Sequence, residues 1–200
     1  MKKFNSYDNV EIIKTQEALP VGGYILRILD AKEVVYSWGS VLVLSFDICD
    51  GPYTGYYKKN YEAQTQENKK WKGTFRMNVP KDDGTEIDEW TARKFKTNIH
   101  AIEDSNPGYA WNWDEKSLVH KYVGAVFNNK EYEVDGRRGF YTNCHSLKTV
   151  EDIRNGNFKI PADTLLQTKS EDAAFPTGDF APANDAFAFA AAADEGNLPF

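Results

Sequence analysis

The chain has 200 residues, of which 41% are hydrophobic and 14% aromatic, and it carries a formal net charge of −6 at neutral pH. This length accommodates one domain with extensions or two very small domains, and the hydrophobic content is sufficient for a packed core. No stretch approaches the roughly 20 apolar residues of a membrane span, and the N-terminus lacks the apolar region of a signal peptide. We therefore expect a soluble, intracellular protein.

The charge is distributed unevenly along the chain. Residues 1–167 contain 23 Lys and Arg against 24 Asp and Glu, whereas residues 168–200 contain 1 against 6. The body is nearly neutral, so the acidity of the whole chain does not exclude a nucleic-acid-binding face there. The asymmetry indicates separate roles for the body and the C-terminal segment.

Two cysteines, Cys49 and Cys144, are too few for a disulfide framework. Both lie in apolar stretches typical of strands. Because free cysteine is among the most buried residue types, we expect two buried free thiols.

The first half of the chain predicts three β-strands after a mixed segment at 1–20 that contains a short helix or turn. The strands are predicted at residues 24–35, 41–49 and 71–79. The first is long and is expected to bend midway, the second is apolar enough to be central, and the third alternates like a half-exposed strand. The aromatic and basic run at 53–61 is expected to extend as a strand that ends the hairpin, before a polar loop.

The second half predicts one amphipathic helix followed by two strands. Residues 88–103 place Trp90, Phe95, Ile99 and Ile102 close to one helical face. The later elements are an aromatic loop or short helix at 109–121, a strand at 122–127 continuing over 131–134, a hairpin turn at Asp135-Gly136, a last strand at 137–147 and a short helix at 149–156 capped by Thr149.

Three strands, one helix and two strands follow one another in the order of an oligonucleotide-binding (OB) barrel. We therefore expect a mainly β fold: a five-stranded OB barrel with one helix between strands 3 and 4, plus a disordered C-terminal tail. The expected organisation is an N-terminal segment at 1–20, an OB-fold domain at 21–161 and a flexible acidic tail at 162–200.

The end of the chain has the composition of a docking peptide. Residues 168–200 are rich in Ala, Asp, Pro and Gly and cannot bury enough apolar area to order themselves, apart from a transient helix expected at 186–193. A terminal Phe can fill an apolar pocket, its carboxylate can pair with a cation, and acids can meet a basic rim. The predicted docking residues are Asp194, Glu195, Leu198, Pro199 and Phe200. An arbitrary acidic tail is the alternative.

These features resemble the single-stranded DNA-binding proteins of bacteria and their phages. The end Leu198-Pro199-Phe200 after Asp194 and Glu195 is similar to the acidic tip of the bacterial proteins, with Gly196-Asn197 as a departure. Residues 146–161 are similar to the end of a phage or prophage type. The resemblance implies an OB fold, no catalysis, no cofactor, and a tip that binds replication, recombination or repair proteins. It places the protein in the cytoplasm of a bacterial host and leaves homo-oligomer formation open.

Sequence-tolerant strand binding needs cations for phosphates and aromatic faces for bases. OB barrels bind through strands 2–3 and loops 1–2 and 4–5. The predicted DNA-binding residues are Tyr36 and Trp38 in loop 1–2; Tyr53, Tyr56, Tyr57, Lys58, Lys59, Tyr61, Lys69, Lys70, Trp71, Lys72, Phe75 and Arg76 around strands 2–3; and Arg137, Arg138, Phe140 and Tyr141 at loop 4–5. Strand alternation implies that roughly half of the aromatic residues point into the core.

Two alternative functions remain open. An enzyme is not favoured: His100, His120 and His145 show no metal spacing, and the chain has neither a phosphate-binding glycine loop nor a nucleophile elbow. We therefore expect neither catalysis nor a metal site. A barrel that binds proteins instead of a strand would keep the tail and is the second alternative.

Overall fold

The structure is a computed structural model, and it describes residues 18–166. The strands in this part are β1 (Gly22–Tyr36), β2 (Gly39–Ile48), β3 (Thr74–Asn78), β4 (Tyr122–Val134) and β5 (Arg137–Lys148). The helices are α1 (Tyr56–Glu62), α2 (Glu86–Asp104) and α3 (Val150–Asn155), with a 3-10 helix at Glu115–Leu118. The expected helix or turn before residue 18 and the tail with its docking tip lie outside the described residues.

The five strands form one antiparallel sheet in the order β3-β2-β1-β4-β5. The predicted mainly β fold, with a helix between the third and fourth strands, is confirmed. β1 is central: Gly22–Arg27 pairs with β4, and residues 26–36 pair with β2. A register shift between Ile28 and Asp30 interrupts β1 near its middle, where a bend is predicted.

The hydrophobic core lies between one face of this sheet and α2. Phe127 of β4 has no exposed surface and packs edge-on against Tyr24 and Phe46, with centroid distances of 5.2 and 6.1 Å. α2 contributes Phe95 and two isoleucines, as its periodicity predicts. Its Trp90 is only half-buried. The predicted face of α2 therefore packs in the core, except for Trp90.

The strand predicted at 53–61 is wrong, because α1 occupies most of this stretch. The cap that starts α1 comes from β2: the Asp47 carboxylate accepts hydrogen bonds from the backbone N–H groups of Tyr57 and Lys58, at 2.9 and 3.1 Å. Gly55 precedes the helix with a left-handed φ of 71°. A cap ten residues away leaves no local pattern for sequence reasoning to find.

The segment after β5 covers the sheet on the face opposite the core. A Cβ atom at Gly124 would collide with the Thr149 carbonyl oxygen and the Ile153 side chain, and one at Gly23 would collide with the Phe158 ring. Thr149 accepts a hydrogen bond from the Asp152 N–H and so caps α3 as predicted. Residues 149–158 are therefore packed on β1 and β4.

The chain then returns to β4. The Thr164 N–H donates to the Asn129 carbonyl and the Glu131 N–H donates to the Thr164 carbonyl, both at 2.8 Å. The buried amide of Asn128 donates to the Ala162 carbonyl at 2.8 Å. Backbone contacts with the sheet thus continue beyond Pro161.

Both cysteines are free thiols. Cys144 is buried, as predicted, whereas Cys49 is half-buried with its thiol 3.4 Å from the Ile25 carbonyl oxygen. Burial raises the pKa of both thiols, which disfavours the reactive thiolate.

Among residues 18–166, no helix has the length and apolar character needed to cross a membrane.

Candidate nucleic-acid interface

α1 and the loop that follows it are rich in exposed lysine. Five exposed lysines in this stretch form what we call the lysine patch: Lys58, Lys59, Lys69, Lys70 and Lys72. Only two carboxylates, those of Glu62 and Glu67, lie in the same stretch of sequence. A cluster of exposed cations of this kind attracts phosphate groups.

Two of the aromatic side chains in this stretch, those of Tyr61 and Trp71, lie beside each other. The Tyr61 and Trp71 rings are 5.8 Å apart at their centroids, and the Lys69 ammonium is 5.7 Å from the Tyr61 centroid. The Trp71 indole N–H donates to the carbonyl oxygens of Phe46 and Gly73, at 3.2 and 3.1 Å. Trp71 is thereby held in place, half-buried and packed against the core.

Other aromatic residues predicted to bind DNA serve the packing of the domain. Tyr57 is 7% exposed and packs edge-on against Phe46. Tyr53 and Phe75 are half-buried against the core, and so is Tyr56, whose hydroxyl accepts a hydrogen bond from the Leu19 N–H at 3.1 Å. Part of the predicted aromatic set therefore serves packing, although Tyr56 and Tyr57 lie on a helix and not on an alternating strand.

Asp47 anchors the start of α1, the helix that carries Lys58 and Lys59 of the lysine patch. Its carboxylate is nearly buried and accepts from the N–H groups of Ile48, Tyr57 and Lys58. Burial raises the pKa of the Asp47 carboxyl, while these hydrogen bonds and the nearby Lys58 charge act in the opposite direction. The carboxylate ties the end of β2 to the first turn of α1.

We expect Asp47→Ala to lower the free energy of unfolding by about 1–3 kcal/mol, because it leaves backbone donors at the start of α1 without their acceptor. Urea denaturation monitored by circular dichroism measures the change. Asp50→Ala is the matched control: its exposed carboxylate lies 3.9 Å from Arg154, and its loss should cost less than about 0.5 kcal/mol. Equal losses in the two variants would contradict the capping role.

A second aromatic and basic group lies at the turn between β1 and β2. The Tyr36 and Trp38 rings are stacked with centroids 5.2 Å apart and planes 5° apart, and Trp38 is 47% exposed. Arg76 of β3 donates a hydrogen bond from its guanidinium to the Tyr36 hydroxyl. We call Tyr36, Trp38 and Arg76 the hairpin platform. The exposed Lys81, which the sequence analysis missed, places its side chain beside Gly39 of the same turn.

The β4–β5 hairpin presents a third group. Phe140 is 52% exposed and Tyr141 is 44% exposed. Arg137 is exposed, whereas Arg138 donates to the Glu133 carboxylate at 2.7 Å, which offsets part of its charge. This hairpin therefore offers exposed aromatic rings but little net positive charge.

Sequence reasoning missed Tyr132, whose ring centroid lies 6.2 Å from that of Tyr141. Tyr132 pairs with Gly139 across the hairpin, and its ring occupies the space that a Cβ atom at Gly139 would fill. The pattern that could have revealed Tyr132 is an aromatic residue paired with a glycine on the neighbouring strand. This pairing can be recognised only once the strand register is known.

The lysine patch and the β4–β5 hairpin extend from the same end of the sheet. Leu19 is hydrogen-bonded to both elements: its N–H donates to the Tyr56 hydroxyl of α1, and its carbonyl accepts from the Thr142 hydroxyl of β5. Leu19 therefore links α1 to β5, the elements that carry parts of the two predicted DNA-binding stretches.

The hairpin platform lies toward the other end of β2. Trp38 lies just before β2, whereas the Trp71 indole is hydrogen-bonded to Phe46 near the end of β2. Phe46 is eight residues from Trp38, and at about 3.3 Å per residue this corresponds to about 26 Å along the strand. Arg76 lies between them, paired with Val43. The core neighbours Leu42 and Leu44 point to the opposite face from Val43, so Arg76 lies on the outer face of β2 and β3.

An exposed aromatic pair lies outside all three groups. Trp113 is 78% exposed and its ring centroid is 4.6 Å from that of Trp111, which packs against Phe95. Trp113 adopts a left-handed φ of 67°, which is rare for a bulky residue. Between Pro107 and Lys121 the acids Asp114 and Glu115 balance two lysines, so this surface has no net charge to attract phosphates.

Within residues 18–166, no group of three or more His, Cys, Asp and Glu side chains has a geometry that could hold a metal ion.

No protein-family model matches the chain, and no curated protein matches it in sequence.

Proposed function

We propose that this protein binds and protects single-stranded DNA without strong sequence preference. The observation that carries the proposal is the lysine patch, where five exposed lysines lie in one short stretch with Tyr61 and Trp71. Cations attract phosphates of any sequence, and each base stacked on an aromatic ring contributes about 1–3 kcal/mol. Because duplex pairing keeps base faces stacked inside the helix, the combination favours a single strand.

The proposed path of the strand follows the outer face of β2 and β3. It would start at the lysine patch and the neighbouring β4–β5 hairpin, pass Arg76 and reach Trp38. This path supports the finer fold proposal, an OB barrel in which the edge strands β3 and β5 approach each other. In such barrels the strand 2–3 face and the loops 1–2 and 4–5 contact oligonucleotides.

The remainder of the proposal concerns the tail. Asp194, Glu195 and Leu198-Pro199-Phe200 would recruit replication, recombination or repair proteins, and the protein would act in the cytoplasm of a bacterial host as a bacterial, phage or prophage product. It would use no cofactor and catalyse no reaction. These residues support this role by their chemistry, since the apolar Leu198-Pro199-Phe200 follows the acids Asp194 and Glu195.

The test is a titration of labelled oligo-dT and of a duplex of equal length at several salt concentrations, followed by fluorescence anisotropy. We expect tight strand binding, weak duplex binding and a log–log salt slope of about 0.7 per contacted phosphate. Deleting Leu198–Phe200 is the control and should leave strand affinity unchanged. No strand binding at low salt would reject the proposed function.

A protein-binding module is the second candidate, favoured by the exposed Trp113 on a loop without net charge. Exposed tryptophans are typical anchors of protein interfaces. The same titration discriminates the candidates, since a protein-binding module would bind neither strand nor duplex.

A further inference from the structure

The hairpin platform joins side chains from two strands that are not neighbours in the sheet. Tyr36 ends β1 and Arg76 belongs to β3, with β2 between them. One ring face of Tyr36 is stacked on Trp38, and its hydroxyl accepts the Arg76 hydrogen bond. Tyr36 is thus held at two points, by a ring and by a guanidinium.

The hydrogen bond is the stronger of the two links between Arg76 and Tyr36. The guanidinium carbon lies 5.8 Å from the Tyr36 ring centroid, near the outer limit of about 6 Å for a useful cation–π contact. Removing the hydroxyl alone should therefore release Tyr36 from Arg76, while the ring can still stack.

We infer that Arg76 is a positioning residue: through Tyr36 it holds Trp38 in the orientation that stacks a base, instead of pairing with a phosphate. This inference rests on the proposed function and deepens it. Trp38 lies in the turn between two strands and keeps nearly half of its surface exposed. A side chain at such a turn loses rotamer freedom when a base stacks on it, and a prior anchor reduces that loss.

The two roles of Arg76 predict different salt behaviour. A phosphate contact contributes about 0.7 to the log–log salt slope, and lysine can replace arginine as its point charge. A positioning contact lowers affinity when it is lost but leaves the slope unchanged, and lysine replaces a planar guanidinium poorly. If Arg76 is a positioning residue, losing its guanidinium should therefore have the same effect as losing the uncharged Tyr36 hydroxyl. Both changes should lower the affinity and leave the salt slope unchanged.

The experiment compares Tyr36→Phe, Arg76→Lys, their double variant and Arg76→Ala with the unaltered protein, using oligo-dT anisotropy over a salt series. We expect each single variant to weaken strand binding about three- to tenfold with an unchanged salt slope, and the double variant to be no weaker than either single. Tryptophan fluorescence supplies a second readout: Tyr36→Phe should reduce the part of the strand-induced quenching that Trp38→Ala abolishes. Urea midpoints are compared to confirm that all variants fold.

Lys81→Ala is the matched control, since it removes a cation beside the same turn without touching Tyr36. A slope reduced by about 0.7 in Arg76→Ala and restored in Arg76→Lys would overturn the positioning role, and so would unchanged binding by Tyr36→Phe. If the unaltered protein binds no strand, the proposed function itself fails; if it binds and Tyr36→Phe binds equally well, only the positioning role fails.

Discussion

Replacing Lys58, Lys59, Lys69 and Lys70 together by alanine is expected to lower the affinity for oligo-dT about a hundredfold or more at low salt. These four side chains are exposed and belong to the lysine patch. If each one neutralises a phosphate, the log–log salt slope should fall by about 3, since each contact on a single strand contributes about 0.7. Anisotropy titrations between low and moderate salt measure both quantities.

Two of these lysines also make contacts within the domain: Lys59 donates to the Thr54 carbonyl and Lys69 to the Glu62 carbonyl, at 3.2 and 3.3 Å. The urea midpoint of the variant must therefore be compared with that of the unaltered protein. We expect a small change, because exposed hydrogen bonds of this kind contribute little.

Lys116→Ala/Lys159→Ala tests whether location matters or only net charge. Both lysines are exposed, one in the 3-10 helix and the other after α3. This pair should be compared with Lys69→Ala/Lys70→Ala, which removes the same charge. Equal losses of affinity in the two pairs, or a loss with an unchanged salt slope, would contradict the lysine patch as the phosphate-binding surface.

Phe127→Ala is expected to lower the free energy of unfolding by about 3–5 kcal/mol, a large part of the 5–15 kcal/mol of a typical domain. Phe127 has no exposed surface, and its ring meets Tyr24 and Phe46 edge-on. Truncation removes the buried ring and leaves a cavity that the surrounding sheet can close only in part. Urea denaturation at constant temperature measures the loss.

Val35→Ala serves as the comparison on the same sheet. Because Val35 is 77% exposed, its truncation should lower the free energy of unfolding by less than about 0.5 kcal/mol. A cost below about 1.5 kcal/mol for Phe127→Ala would mean that the core can repack around the gap. It would then be wrong to regard this ring as the centre of the core.

The amino-acid sequence by itself determined where most strands and helices lie, because those signals are local. The turn at Asp135-Gly136, the apolar run before Cys49 and the 3.6-residue period of α2 each act over a few residues. The cap at Thr149 is also local and is found as predicted. These elements are specified by backbone preferences and by the pattern of apolar side chains.

The identity of the surface was determined only in part by the sequence. Alternation predicts that some aromatic residues point inward, but it cannot choose among Tyr53, Tyr56, Tyr57 and Tyr61 once their stretch is not a strand. The structure makes Tyr57 a core residue and leaves Tyr61 beside Trp71. The choice depends on the helix that Asp47 starts from a different part of the chain.

Only the tertiary structure decided which distant residues meet. Arg76 reaches Tyr36 across β2, and Leu19 joins α1 to β5, over separations of 40 residues in the first case and 37 and 123 in the second. Contacts at such separations depend on the register of the sheet and the path of the loops, which short-range preferences do not encode. The sequence by itself therefore determined the elements and the chemical types available for a site. The tertiary structure decided their placement, because placement results from packing the whole chain around one core.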